Sequence, residues 1–222
     1  MTAPTFPPLM SGQATVDDPL DVATQMAMAG CDAGTVVYQT GTDDLRAAII
    51  FAPDIPLGDA MIMLPICGIG FQNALGAIAP PEIAVLLEWN GTLRVNDATC
   101  GGLSAHASGN DPAGVPDWLI IGLHIPIRNS AENPGATPDV TTLYEEGCGD
   151  ISATQLLEGW SRHTLVWMNR WSDDGTAPIH AEYTGLLHRH EGEIGVDERF
   201  GLLRKTGDTT TLTLLTDLLR QT

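Results

Sequence analysis

Apolar residues along this chain recur with two periods, and the switches between them set out an order of elements. After a Pro-rich polar arm over residues 1–16, Asp17 or Asp18 offers an N-cap, Pro19 suits the first helical position and Gly30 closes the pattern. Leu20, Ala23, Met26 and Ala27 at helical spacing predict a helix from Pro19 to Ala29. Thr35 to Gln39 and Leu45 to Phe51 are β-rich runs around a polar turn, Thr40 to Asp44, and predict a hairpin. The period then returns to helical from Leu57 to Ala77, with Met61, Leu64, Gly68, Phe71 and Leu75 on one face; Pro65 should kink or divide that helix.

The stretch Ile83 to His106 runs from an apolar strand through Trp89 and the turn pair Asn90-Gly91 to a short alternating segment and a double glycine, Gly101-Gly102. That order predicts a strand, a hairpin and a returning strand whose glycines let another group approach the backbone. Beyond a polar loop from Ser108 to Pro116, Trp118 to Ile125 is nearly all apolar, as a strand buried on both faces must be. Ser152 with Gln155 forms a capping-box pattern. Leu156, Leu157, Trp160, Thr164, Trp167, Met168 and Trp171 then continue at helical spacing to Asp174, so the tryptophans are expected to pack rather than to stack a ligand. From about Tyr183 the chain reads as short β runs separated by Gly/Asp turns, the first of them over Gly185 to His190.

Composition narrows the function classes. With 222 residues, 43% hydrophobic and 17% charged, the chain is globular and long enough for a sizeable core. No apolar run reaches the roughly 18 residues of a membrane span, and MTAPTFPPLMSG has no basic region before an apolar one, so neither a membrane nor a secretory route is expected. Four cysteines without C-x-x-C spacing fit reduced thiols in a cytoplasmic protein. Twenty-eight acids against ten bases give a net charge of -18, which repels a phosphate backbone and argues against nucleic acid as a partner. Lys205 is the single lysine, so chemistry needing a lysine ammonium in the central stretch has none nearby.

The central stretch and its neighbours resemble biotin protein ligases and, more loosely, lipoate ligases. Glu88-Trp89-Asn90-Gly91 stands where that family has Lys-Trp-Pro-Asn-Asp, and Thr99-Cys100-Gly101-Gly102-Leu103 where it has Lys-x-Gly-Gly-Ile/Leu. Gln39-Thr40 matches the start of a Gln-Thr-x-Gly-Arg-Gly-Arg loop, whose arginine positions hold Asp43 and Leu45 here. Gly122-Leu123-His124-Ile125-Pro126 stands for Gly-x-Gly-Ile-Asn, and Gly195-Val196-Asp197-Glu198-Arg199-Phe200-Gly201-Leu202-Leu203 follows the family's C-terminal Gly-Ile-Asp-x-x-Gly-x-Leu-Leu in order, with the second glycine one place later. No N-terminal winged helix, as in the repressor members, fits before Thr35.

The resemblance implies an α+β fold: a mixed β-sheet packed by helices over residues 1–182, and a small SH3-like β domain over residues 183–222. It implies a pocket for a biotin-like or lipoate-like acyl group, with ATP as co-substrate and a lysine of an acceptor protein as the target. Gln39, Thr40, Trp89, Gly101, Gly102, Leu103 and Gly122 are the ligand-binding positions that carry over.

The cationic positions do not. Asp43, Leu45, Glu88 and Thr99 replace arginine, arginine, lysine and lysine, which reverses the charge where an anion should sit. Arg46 is next to Leu45, but on a strand it faces the opposite way. Arg94, the one base in the central stretch, becomes the candidate for holding a ligand carboxylate or phosphate. The expected function is binding of a small acyl or cofactor-like ligand without adenylation. The alternative is a divergent ligase or acyl transferase, with Cys100 as its nucleophile if nearby positive charge lowers its pKa. Asp139, Glu145, Glu146 and Asp150 read as a solvated face, and His188 and His190 as surface residues, so no metal is expected. An open sheet edge after Leu103 suggests a homodimer.

Overall fold

The computed structural model describes residues 3–128 and 139–220. Seven strands form one sheet: β1 (Ser11–Ala14), β2 (Thr35–Thr40), β3 (Asp44–Phe51), β4 (Val85–Leu87), β5 (Thr92–Val95), β6 (Ala98–Ala107) and β7 (Leu119–Pro126), in the order β1-β2-β3-β7-β6-β5-β4. Only the β1–β2 pair is parallel; the neighbours that follow are antiparallel. Its helices are α1 (Pro19–Met28), α2 (Leu57–Ala60), α3 (Met63–Gly76), α4 (Ala153–Asp174) and α5 (Thr176–Leu186). A separate antiparallel sheet near the C-terminus contains β8 (Glu193–Val196), β9 (Leu202–Thr206) and β10 (Thr209–Thr213).

Strand alternation splits the apolar side chains between two layers. Val37, Ala48, Ile50, Trp118 and Ile120 point to one face, where α1 covers them with Ala23 and Ala27. Val36, Leu45, Ala47, Ile49, Leu123 and Ile125 belong to the larger core on the other, which α3 and α4 cover. The apolar β7 lies between β3 and β6 and is covered on both faces as far as Ile121, as its sequence predicted; beyond that its α1 face opens and His124 is exposed.

Helix ends follow their local chemistry. Asp18 caps α1 by accepting from the Leu20 and Asp21 amides. Ser152 and Gln155 form the predicted capping box on α4. The helix expected from Leu57 to Ala77 is divided, as Pro65 requires: α2 ends at Ala60, the break falls at Met61–Ile62, four residues before the proline, and Pro65 sits in the first turn of α3, where its missing N–H costs no intrahelical bond.

The tryptophan stripe of α4 packs, as expected. Trp160 is fully buried and its Nε1 donates to the Cys67 carbonyl at 3.0 Å; Trp167 Nε1 donates to Asn73 Oδ1 at 2.8 Å. Gly70 gives α4 its close approach, since a Cβ there would lie 2.6 Å from Thr164 Oγ1. Truncating a residue as large and enclosed as Trp160 to alanine costs about 3–5 kcal/mol.

The strand expected over Gly185 to His190 does not form. Tyr183, Gly185 and Leu186 finish α5, where burial of Ile179 and Tyr183 against the core outweighs local β preference. Phe200, Leu202 and Leu215 of the C-terminal segment join the main core. The edge beyond Leu103 exists, because β5 pairs with β6 only as far as Gly102, but this chain fills it: Ala105 bridges Leu219 and its carbonyl accepts from the Arg220 amide. That edge is therefore not open to a second copy of the chain. No described helix is long and apolar enough to cross a membrane.

Candidate functional site

A cleft of about 470 Å³ opens on the α1 side of the sheet, bounded by the start of α1, β3, the Asn90–Thr92 turn, β6, β7 and Arg220. Its floor is made of glycines. Gly101 (φ +81°) lies so close to β7 that a Cβ would stand 2.0 Å from the His124 carbonyl oxygen. Gly91 (φ +91°) is pressed against the Leu103 carbonyl in the same way, and its own carbonyl accepts from the Leu103 amide at 2.7 Å. At these two positions only glycine combines a left-handed dihedral with so close an approach. Gly122 faces Ser104 and the Leu20 side chain.

The cationic lining comes from Arg46 and Arg220. Leu45 is fully buried in the larger core, so the next side chain on β3 must point the other way, into the cleft. Arg46 Nε donates to Asp44 Oδ2 at 2.8 Å and Nη1 lies 3.5 Å from Asp18 Oδ2. The hydrogen bond to Asp44 is the main reason its pKa is raised above the usual guanidinium value. His124 Nε2 stands 3.5 Å from the same Asp44 oxygen, so one carboxylate positions both bases at the mouth.

Of the positions singled out by sequence, Gly101, Gly102, Leu103 and Gly122 meet in this cleft. Gln39, Thr40, Trp89, Arg94 and Cys100 do not line it. Gln39 Nε2 donates to the Val16 carbonyl, and Thr40 pairs with Leu45 in the β2–β3 hairpin. Trp89 is buried and its Nε1 donates to the Phe200 carbonyl at 2.7 Å, tying the Gly195–Leu203 motif to the central stretch. Arg94 does not reach the cleft: its Nη1 donates to Glu88 Oε1 at 2.6 Å and its Nη2 to the Asp97 carbonyl.

Cys100 is fully buried and its Sγ faces the Pro126 carbonyl. Burial, reinforced by Glu146, Cys148 and Glu145, pushes this thiol up to about 12, the reverse of what a nucleophile needs. Glu145 accepts from the amide and hydroxyl of Thr142, and Glu146 from Thr141 Oγ1 and Asn96 Nδ2, so these acids tie down residues 139–150. Residues 129–138, which precede this segment, lie outside the described residues.

The profile of the Biotin/lipoate A/B protein ligase family matches residues 6–185, and the chain belongs to that family. A crystal structure from Silicibacter sp. TM1040, described as a biotin protein ligase-like protein of unknown function, is 52% identical over 99% of this chain and 100% of its own, with a TM-score of 0.92. Biotin protein ligase from Aquifex aeolicus, in complex with biotin and ATP, has a TM-score of 0.70 at 17% identity over 93% of this chain and 96% of its own. The Leishmania major enzyme in complex with biotin has a TM-score of 0.59 at 16% identity, over 94% and 98%. At those identities the two ligases share the fold alone. No curated protein matches the chain.

Proposed function

We propose that the cleft binds a small acyl molecule through its carboxylate, in the manner of a biotin-like or lipoate-like ligand, and does not adenylate it. The observation that carries this reading is the placement of Arg46 and Arg220 over a glycine floor in a chain of net charge -18. Asp44 and Asp18 hold Arg46 in place and offset part of its charge, Arg220 adds a second guanidinium, and bidentate pairing with these planar groups suits a carboxylate. The Aquifex aeolicus relative is bound to biotin and ATP on the same fold. In this chain Leu45, Glu88 and Thr99 supply no cation to offset the charge that develops at a phosphate during adenylation. The sealed Cys100 thiol disfavours acyl transfer through a cysteine.

Calorimetric titration with biotin, lipoate and octanoate in the absence of ATP tests the binding. One of them should bind, and Arg46→Ala should weaken it about 10- to 100-fold, the worth of a charge-assisted hydrogen bond. Pyrophosphate release from ATP with the same acids should stay at background. Turnover dependent on one of these acids would replace this reading with a divergent ligase acting on an acceptor lysine.

A further inference from the structure

Glu88, His188 and His190, none of which lines the cleft, come together where the edge strand β4 ends. Leu187 forms a parallel bridge with Leu87 on the edge strand β4, and the His188 amide donates to the Leu87 carbonyl at 2.8 Å. That register sets the residue after Leu87 beside the residue after Leu187. One ligand atom from each of Glu88, His188 and His190 lies within 4.8 Å of the others. The two imidazole rings meet edge to face at 5.3 Å, and His190 Nε2 is 3.0 Å from Glu88 Oε2.

We propose that these three side chains form a zinc site which staples the segment after α5 to the end of the main sheet. The donor set of two imidazoles and a carboxylate is one that zinc takes, with a fourth position left for water. Ligand atoms around a tetrahedral zinc with bonds of about 2.1 Å stand roughly 3.4 Å apart. The Glu88–His190 pair already has nearly that spacing, and the half-exposed His190 is free to adjust.

Glu88 is held as a ligand must be. It is 7% exposed, and its two oxygens are divided between partners: Oε1 accepts from Arg94 and Oε2 faces His190. Arg94 thus fixes the carboxylate from behind, as partners beyond the ligands do in metal sites, and leaves the forward oxygen for a cation. The His190 amide donates to Glu193 Oε2, and Glu193 Oε1 pairs with Arg204, so the backbone carrying the second imidazole is anchored too. The chain's net charge of -18 raises the local concentration of any divalent cation. Because the ligands lie about a hundred residues apart in sequence, binding them together shortens a long loop and stabilises the folded chain.

The test uses the full, untagged chain stripped with a chelator and titrated with zinc against a chromophoric competitor. The wild type should bind one zinc per chain. Loss of one of three ligands should cost at least what loss of a supporting partner costs at its upper end, about 100-fold in affinity. His188→Ala and His190→Ala should each show this, while His163→Ala, on α4, should bind like wild type. Cobalt loaded in place of zinc should show d–d absorption that His188→Ala abolishes, and zinc should raise the melting temperature of wild type but not of that variant. Circular dichroism of the stripped proteins checks that each variant is folded. Absence of one-to-one binding in the wild type, or wild-type affinity in both His188→Ala and His190→Ala, would overturn the proposal.

Discussion

Gly101 and Gly147 form a matched pair that separates two costs usually measured together. Both have φ of +81°, but a Cβ on Gly147 meets nothing within 4 Å among the described residues, whereas one on Gly101 would lie 2.0 Å from the His124 carbonyl oxygen and 2.9 Å from Pro126 Cδ. Alanine at Gly147 should therefore show the dihedral cost alone, about 1 kcal/mol. At Gly101 the same cost is joined by a backbone collision that no rotamer change relieves. β6 has to move off β7 by about 1 Å, and overpacking of that kind adds about 1–3 kcal/mol. For a chain of 222 residues each kcal/mol lowers Tm by roughly 2–4 °C. Gly147→Ala should lose about 2–4 °C and Gly101→Ala about 4–16 °C, read by scanning calorimetry and by urea denaturation with an unchanged slope. Gly101→Ala should also lose ligand binding below its melting temperature, because the displaced strand is the floor of the cleft. Equal losses at the two glycines would refute the reasoning, since they would mean that β6 and β7 are not in the contact described.

Three further outcomes follow from the buried polar groups. Arg94→Ala leaves the Glu88 carboxylate enclosed without its guanidinium partner and should cost about 3 kcal/mol in urea denaturation, while titration of the cleft with its ligand is unchanged. Of the four thiols, Cys67, Cys100 and Cys148 are buried and only Cys31 is partly open. Ellman's reagent should therefore find one reactive thiol per native chain and four in denaturant; rapid reaction of Cys100 in the folded protein would contradict its enclosure. His106 is buried with neither ring nitrogen partnered among the described residues, and burial, with Arg220 adding to it, holds its pKa below the ordinary value despite Asp21. The unfolded chain therefore takes up this proton at higher pH than the folded one. The contribution to stability is complete above about pH 6.5 and is lost as pH falls through the unfolded pKa toward the folded one. His106→Phe should flatten that part of the stability profile measured by urea midpoints.

How far the sequence carried depends on whether the signal was local. The capping box at Ser152 and the apolar run of β7 each carry their own instruction, and both elements form as predicted. Gly101 and Gly102 announced a close approach without naming what approaches. Arg46 was within reach: the buried positions Leu45, Ala47 and Ile49 alternate, so the residue between the first two had to face away from that core. The family comparison drew attention to Leu45 instead. Arg94 misled because its partner Glu88 lies across a hairpin whose register a sequence does not state; Leu86 pairs with Arg94, and the carboxylate is two residues on. Asp18 was marked only as a helix cap and Arg220 not at all, since only the folded sheet brings the cap of α1 and the last described residue to one cleft. The helical end of α5 was hidden for a related reason, its tertiary burial outweighing Gly185 and the β-prone residues after it.

The cleft takes residues from position 18 and position 220, with β3, β6 and β7 between them. A chain that has not brought these two positions together lacks part of that lining. A molecule bound to all of it therefore stabilises the finished fold over the incomplete ones by mass action.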